Sequence, residues 1–176
     1  MLKIINCENM DELLPQIEQK LNERFPAYHP QTFYYTTHPV CCNFEYVYSD
    51  FDDKTIRREI KYAVVDPNAD DELIGYFTYY IDLYHNCAES FVAASFRPSM
   101  IIINDVIGEM ERLIERFDCI CWTVVSGNKT EKYYTDFCKK HGGTIMVQHN
   151  GSKDLNGKYH NELFYEIKRR HENDTV

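Results

Sequence analysis

Residues 118–143, DCICWTVVSGNKTEKYYTDFCKKHGG, constrain the fold of this chain more than any other stretch. The run Ile120-Cys121-Trp122-Thr123-Val124-Val125 is apolar and partly β-branched, which predicts a strand, and it stops at Ser126-Gly127. Asn128 is a favoured N-cap residue with Glu131 three positions later, the pattern of a capping box, so a helix follows at once. Tyr133, Tyr134, Phe137, Cys138 and His141 are expected on one face of that helix, and Gly142-Gly143 ends it. A strand that passes straight into an amphipathic helix needs a sheet with a helical layer packed on it, an α/β (α+β) architecture.

The rest of the chain supplies compatible elements. A strand over residues 2–6 leads to Asn9, which with Glu12 repeats the capping-box pattern. Met10, Leu13, Leu14, Ile17 and Leu21 recur at helical spacing, predicting a helix to about Arg24, with Pro15 placed to kink or shorten it. Residues 25–51 are rich in Pro, Tyr and His and yield only a short helix around 44–48. A helical stretch over 54–59 is expected to run into a strand over 61–66, and Pro67-Asn68-Ala69-Asp70-Asp71 signals a turn. Residues 73–84 form the partner strand, with Gly75 as a bulge or point of close approach. A third strand covers 87–96 and stops before Pro98. Ile103, Val106, Ile107, Met110, Leu113, Ile114 and Phe117 then give the clearest amphipathic helix. Two last strands cover 144–149 and 159–167, with Asn150-Gly151 and Asn156-Gly157 as hairpin signals between them. Residues 1–167 read as a single domain and 168–176 as a charged tail.

Charge and composition exclude several function classes. A net charge of −9 argues against a nucleic-acid partner and against an anionic membrane surface. No segment has the apolar length of a membrane span, and Met1-Leu2-Lys3 does not open a signal peptide, so a cytoplasmic protein is expected. Seven cysteines in such a chain read as reduced, mostly buried thiols, with Cys119 and Cys121 on one strand face and Cys87 opening another strand. His29, His38, Cys41 and Cys42 cluster in sequence but lack zinc-ligand spacing, and no metal is expected. Cys138 and His141 lie three apart, but a thiolate near a helix C-terminus is disfavoured by the dipole, which argues against a Cys nucleophile.

The order strand, helix, irregular segment, three strands, helix, strand, helix, two strands resembles that of the GNAT acyltransferase family. Two motifs carry the likeness to a divergent bacterial or phage-associated group: Gly127-Asn128…Tyr134…Phe137…His141-Gly142-Gly143, and Asn156-Gly157-Lys158-Tyr159-His160. The resemblance covers residues 60–167 well and the first third loosely. It implies a central mixed, mostly antiparallel sheet, helices on both faces, and a parallel pair of strands that splay apart. It implies acetyl-CoA as cosubstrate and a small-molecule or protein amine as acceptor, for which an acidic, tyrosine-rich chain would suit a cation. Residues 25–51 would build the acceptor side.

The resemblance also assigns roles. The cofactor would contact Ala93, Ala94 and Ser95 at the end of the third strand, Arg97, and the backbone of Ser99, Met100, Ile101 and Ile102, with Asn128 near the pantetheine arm. The family's R/Q-x-x-G-x-G/A signal is absent, because Arg97-Pro98-Ser99-Met100-Ile101-Ile102 contains no glycine, and Asp105 and Glu109 would repel a phosphate. Arg97 is therefore either a phosphate ligand or a surface residue. Tyr134 is the candidate acid for the leaving thiolate, with Tyr133 as the neighbouring alternative, and one of the two belongs to the core because Tyr133 and Phe137 are i, i+4. Glu89 is either the base or an exposed strand residue, and His85 and His160 are further bases by type alone. Two functions follow: an N-acetyltransferase, or a GNAT-fold module without catalysis that binds or serves a phage structure.

Overall fold

The computed structural model describes residues 1–6, 8–24, 57–128, 130–153 and 158–169. Among them the elements are β1 (Leu2–Ile4), α1 (Met10–Arg24), β2 (Arg57–Asp66), β3 (Glu72–Asp82), β4 (Cys87–Ser95), α2 (Met100–Arg116), β5 (Cys119–Val125), α3 (Glu131–Lys140), β6 (Thr144–Lys153) and β7 (Tyr159–Lys168). The strands form one sheet in the order β1-β2-β3-β4-β5-β7-β6. Every neighbouring pair is antiparallel except β4–β5, which is parallel because α2 carries the chain back across the sheet. This is the mixed, mostly antiparallel sheet that the family resemblance implies.

Alternation along the strands sorts the helices onto the two faces. Ala63, Leu73, Tyr76 and Ala94 pack against Leu13, Ile17 and Leu21 of α1. Their neighbours Val64, Ile74 and Phe77 point the other way and pack with Ile102, Val106, Met110 and Leu113 of α2. The same layer continues under α3 through Trp122, Phe137, Cys138, Tyr165 and Ile167. Pro15 lies within α1, and the helix runs through it to Arg24.

Several local expectations give way to tertiary context. β2 begins at Arg57, so 57–59 are strand and not helix; Ile60, Tyr62 and Val64 alternate onto the α2 face and pairing with β3 recruits the residues before them. Asn9 does not cap forward: its Oδ1 accepts from the Asn6 N–H (3.0 Å) and its amide donates to the Ile4 carbonyl (2.9 Å), tying the end of β1 to the start of α1. Asn150-Gly151 falls inside β6 at an irregularity between Gln148 and Ser152, with Asn150 at φ 54°, so this pair makes a bulge and not a hairpin turn. Asn156-Gly157, the short helix around 44–48, and the His29/His38/Cys41/Cys42 cluster lie outside the described residues. Lys168 ends β7 opposite Cys119.

Gly75 is a point of close approach. A Cβ there would stand 2.7 Å from the Ala94 carbonyl oxygen and 3.0 Å from Ile102 Cδ1, so its absence lets the first turn of α2 settle onto β3. A register shift at Val64/Val65 sits beside it.

Candidate functional site

The parallel seam between β4 and β5 is short. It holds three residue pairs, Cys87↔Cys119, Ala88↔Ile120 and Glu89↔Cys121, although β4 continues to Ser95 and β5 to Val125. The cause is local. Between Tyr80↔Glu89 and Thr78↔Val92, one residue of β3 faces two of β4, Ser90 and Phe91, and Ser90 is left-handed at φ 57°. This bulge turns β4 away from β5, while β5 stays paired to β7 as far as Val125↔Glu162. A wedge opens with Glu89 at its apex. Within it the facing edges of β4 and β5 do not pair with each other, so their backbone groups suit an extended ligand that carries amides of its own.

The mouth lies where β4 passes into α2. Ser99 caps the helix from extended backbone and accepts from the Ile101 N–H at 3.2 Å. α2 starts at Met100, earlier than its apolar periodicity suggests and five residues after β4 ends at Ser95. Ser95 Oγ donates to the Arg97 carbonyl. The Arg97 guanidinium meets Asp66 Oδ2 at 2.6 Å and Glu72 Oε2 at 3.2 Å, so it reaches over β3 towards the β2–β3 turn. Glu109 does not face the mouth. It is buried against the sheet, where Tyr62 and Tyr79 donate to it at 3.0 and 2.8 Å and Arg112 Nε at 2.8 Å. Burial raises the pKa of both tyrosines and keeps them donors.

Two chemistries flank the apex on opposite faces. Glu59, Tyr80, Glu89, Cys121 and Glu166 are successive Cα partners across β2, β3, β4, β5 and β7, so all five point to the α1 face. Glu89 is half-buried there. On the other face, Trp122 meets Phe91 of the bulge edge-on (6.0 Å) and Tyr134 of α3 at 5.9 Å, and stacks on Tyr165 at 5.1 Å. Burial pushes the Tyr134 hydroxyl up to about 12, so it is protonated at neutral pH. Tyr133 is 46% exposed. The packed tyrosine of the pair is therefore Tyr134, because the inward stripe runs 134, 137, 138, 141, with Phe137 and Cys138 buried and Tyr134 half-buried, and leaves Tyr133 outside it.

Asn128 is buried in the turn between β5 and α3. Its Oδ1 accepts from Thr130 N–H (2.8 Å) and Thr130 Oγ1 (2.7 Å), while Glu131 Oε2 accepts from the Gly127 N–H (2.7 Å). The reciprocal box is thus displaced by one residue, and Thr130 occupies the N-cap position. His85 pairs with Asp82 at 2.7 Å in the exposed β3–β4 turn, at the end of β4 away from the mouth. Cys138 is wholly buried and its Sγ lies 3.4 Å from the Thr144 carbonyl, so no reagent from solvent reaches it, against a nucleophilic role. Sequence reasoning did not single out Ser90, Phe91 or Trp122. A mid-strand serine carries no bulge signal, and Trp122 entered only as one residue of an apolar strand.

Solved structures share this fold. Spermidine N-acetyltransferase of Vibrio cholerae, in complex with CoA and spermine, matches with TM-score 0.63 and 15% identity over 96% of this chain and 95% of its own. A putative acetyltransferase of Acinetobacter baylyi matches with TM-score 0.62 and 12% identity over 96% and 93%. Ribosomal-protein-alanine N-acetyltransferase of Brucella melitensis matches with TM-score 0.59 and 12% identity over 96% and 99%. No protein-family profile and no curated protein sequence matches the chain. The architecture is the GNAT fold. Among the described residues no helix is long and apolar enough to cross a membrane.

Proposed function

We propose that this chain is an N-acetyltransferase that moves an acetyl group from acetyl-CoA to a primary amine. The observation that carries the reading is the three-pair seam that opens at Glu89 between a capped helix start and a half-buried phenol. The cosubstrate fits the residues present. Its diphosphate would rest on the amides of Ser99, Met100, Ile101 and Ile102, its amide-bearing arm along Ala93, Ala94 and Ser95, with Asn128 beside it. Arg97 would add charge only by leaving Asp66 and Glu72, so the backbone is the main anion ligand. Bound there, acetyl-CoA supplies an acetyl group activated as a thioester.

The protein's part is to orient and to move protons. Glu89, at the apex on the α1 face, takes a proton from the incoming ammonium. Tyr134, on the opposite face, gives its proton to the departing sulfur. Phe91 and Trp122 exclude water from between them. The acceptor would be cationic: Glu59, Glu89 and Glu166 recur every second strand, about 10 Å apart. The Vibrio structure holds spermine, a linear polycation. Such a reaction belongs in the cytoplasm, where acetyl-CoA is made and used. The test is steady-state acetylation of a polyamine and aminoglycoside panel together with thermal shift by acetyl-CoA. Acetylation of any member supports the reading. No shift at millimolar acetyl-CoA and no product would instead favour a non-catalytic GNAT-fold module.

A further inference from the structure

Acyl transfer makes no use of the three thiols at the closed end of the wedge. Cys87 opens β4, Cys119 opens β5, and the two are Cα partners in the parallel ladder, with Cys121 on the same face beside Glu89. In-register neighbours in a sheet stand about 4.8 Å apart, inside the roughly 4.4–6.8 Å Cα window of a disulfide. The diagonal from Cys87 to Cys121 is longer by two residues of β5 and comes to about 8 Å, outside that window. The Cys87 thiol has Cys121 as its main hydrogen-bond partner and Cys119 as a second, and the contact with Cys121 together with burial pushes its pKa well up. Cys87 is buried, whereas Cys119 and Cys121 are half-exposed. Among the described residues no group of three or more His, Cys, Asp or Glu side chains is disposed to hold a metal ion.

We propose that Cys87 and Cys119 form a thiol–disulfide site that, in the presence of a low-mass disulfide, closes a covalent bridge between β4 and β5 beneath the wedge. Cys119, the more exposed of the pair, attacks as thiolate one sulfur of the oxidant RSSR, releasing RS⁻ and leaving Cys119–S–S–R. Deprotonated Cys87 then attacks the Cys119 sulfur, and the second RS⁻ departs. Two protein thiols are oxidised, one RSSR is reduced to two RSH, and the two thiol protons pass through solvent to the leaving thiolates. The groups facing this pair are Cys121, Glu89 beside Cys87, and Glu166 and Lys168 of β7 beside Cys119, with Glu166 Oε1 4.0 Å from Cys119 Sγ. Burial, Cys87 and Glu166 push the Cys119 thiol up to about 12. Thiolate is therefore scarce at neutral pH, and attack should quicken about tenfold per pH unit well below that value.

The experiment is independent of acetyl transfer. Native full-length protein is incubated with oxidised glutathione at pH 7, 8 and 9, then read by intact mass, peptide mapping and thermal melting. The expected product has lost two hydrogens and links the Cys87 and Cys119 peptides. Its formation speeds up about tenfold per pH unit, and its melting temperature rises by about 5–15 °C for the 32-position span closed. Cys121→Ser keeps the bridge; Cys119→Ser and Cys87→Ala lose it while retaining a native circular-dichroism spectrum. A bridge between other cysteines, a stable glutathione adduct at Cys119, a pH-independent rate, or oxidation only after unfolding would each overturn the proposal. If Cys87→Ala fails to fold, Cys119→Ser alone decides.

Discussion

Replacing Tyr134 by phenylalanine separates chemistry from packing. The ring keeps its contacts with Trp122 (5.9 Å) and Tyr165 (6.5 Å), so near-neutral stability should change by no more than about 0.5 kcal/mol. What is lost is a proton. With the hydroxyl pushed up to about 12, only about one molecule in 10⁵ lacks that proton at pH 7, so the wild type is almost wholly in its donor form. General acid catalysis is typically worth on the order of 10²–10⁴ in rate, and kcat should fall by that range with acetyl-CoA affinity unchanged. A second consequence is thermodynamic. A tyrosine whose native pKa is raised stabilises the fold fully below its unfolded value of 10, and that contribution is lost as pH climbs from 10 towards 12. Between pH 10 and 12 the wild type should therefore lose up to about 3 kcal/mol relative to its near-neutral stability, a loss the variant escapes because phenylalanine does not ionise. The assays are steady-state acetylation on the amine panel, isothermal binding of CoA, and urea unfolding at pH 8 and pH 11. Full turnover by Tyr134→Phe would refute the acid assignment, and equal alkaline destabilisation of both proteins would refute the burial argument beneath it.

Glu89→Gln should lower kcat/KM by about 10²–10⁴ and flatten the acidic limb of its pH profile; an unchanged limb would assign the base elsewhere. Gly75→Ala must displace the Ala94 carbonyl or Ile102 and should cost about 1–3 kcal/mol, read by urea unfolding, together with weaker CoA binding because α2 starts on that contact. Arg97→Gln breaks a part-buried ion pair with Asp66 and an exposed one with Glu72 and should cost about 1 kcal/mol; CoA titration decides its second role, since an affinity loss of tenfold or more would require the guanidinium to turn from Asp66 and Glu72 to the phosphate.

What the sequence disclosed was whatever repeats with a period. The i, i+3, i+4 spacing of α2 and the apolar run of β5 predicted both elements, and a crossover helix between two strands made their parallel pairing a consequence of handedness and reach. What stayed hidden depends on neighbours. Arg57 joins a strand because β3 lies beside it, and Asn150-Gly151 bulges because β7 continues past it. At the site, Asn128 and Tyr134 were named through the family motif, whereas capping put the helix start two residues early and i, i+4 spacing put Tyr133 and not Tyr134 beside Phe137. The left-handed Ser90 that opens the wedge was not, since serine tolerates many conformations and favours none strongly enough to announce one. Arg97 was legible as a cation near the mouth, but its engagement by Asp66 and Glu72 arises from a turn 25 or more positions away in sequence.

The shortness of the β4–β5 seam also bears on how the molecule comes apart. Four strands on one side and three on the other each hold a complete antiparallel ladder, and three residue pairs plus a shared helical layer join them. Such a sheet is two cooperative units sharing a border. Amide protons of Ala88 and Cys121 should then exchange sooner than those in the middle of β3 or β7, because opening the border breaks fewer bonds than melting either unit. A ligand bridging both edges would close that route, so occupancy of the wedge should be felt as slowed exchange at its apex before any change in the outer strands.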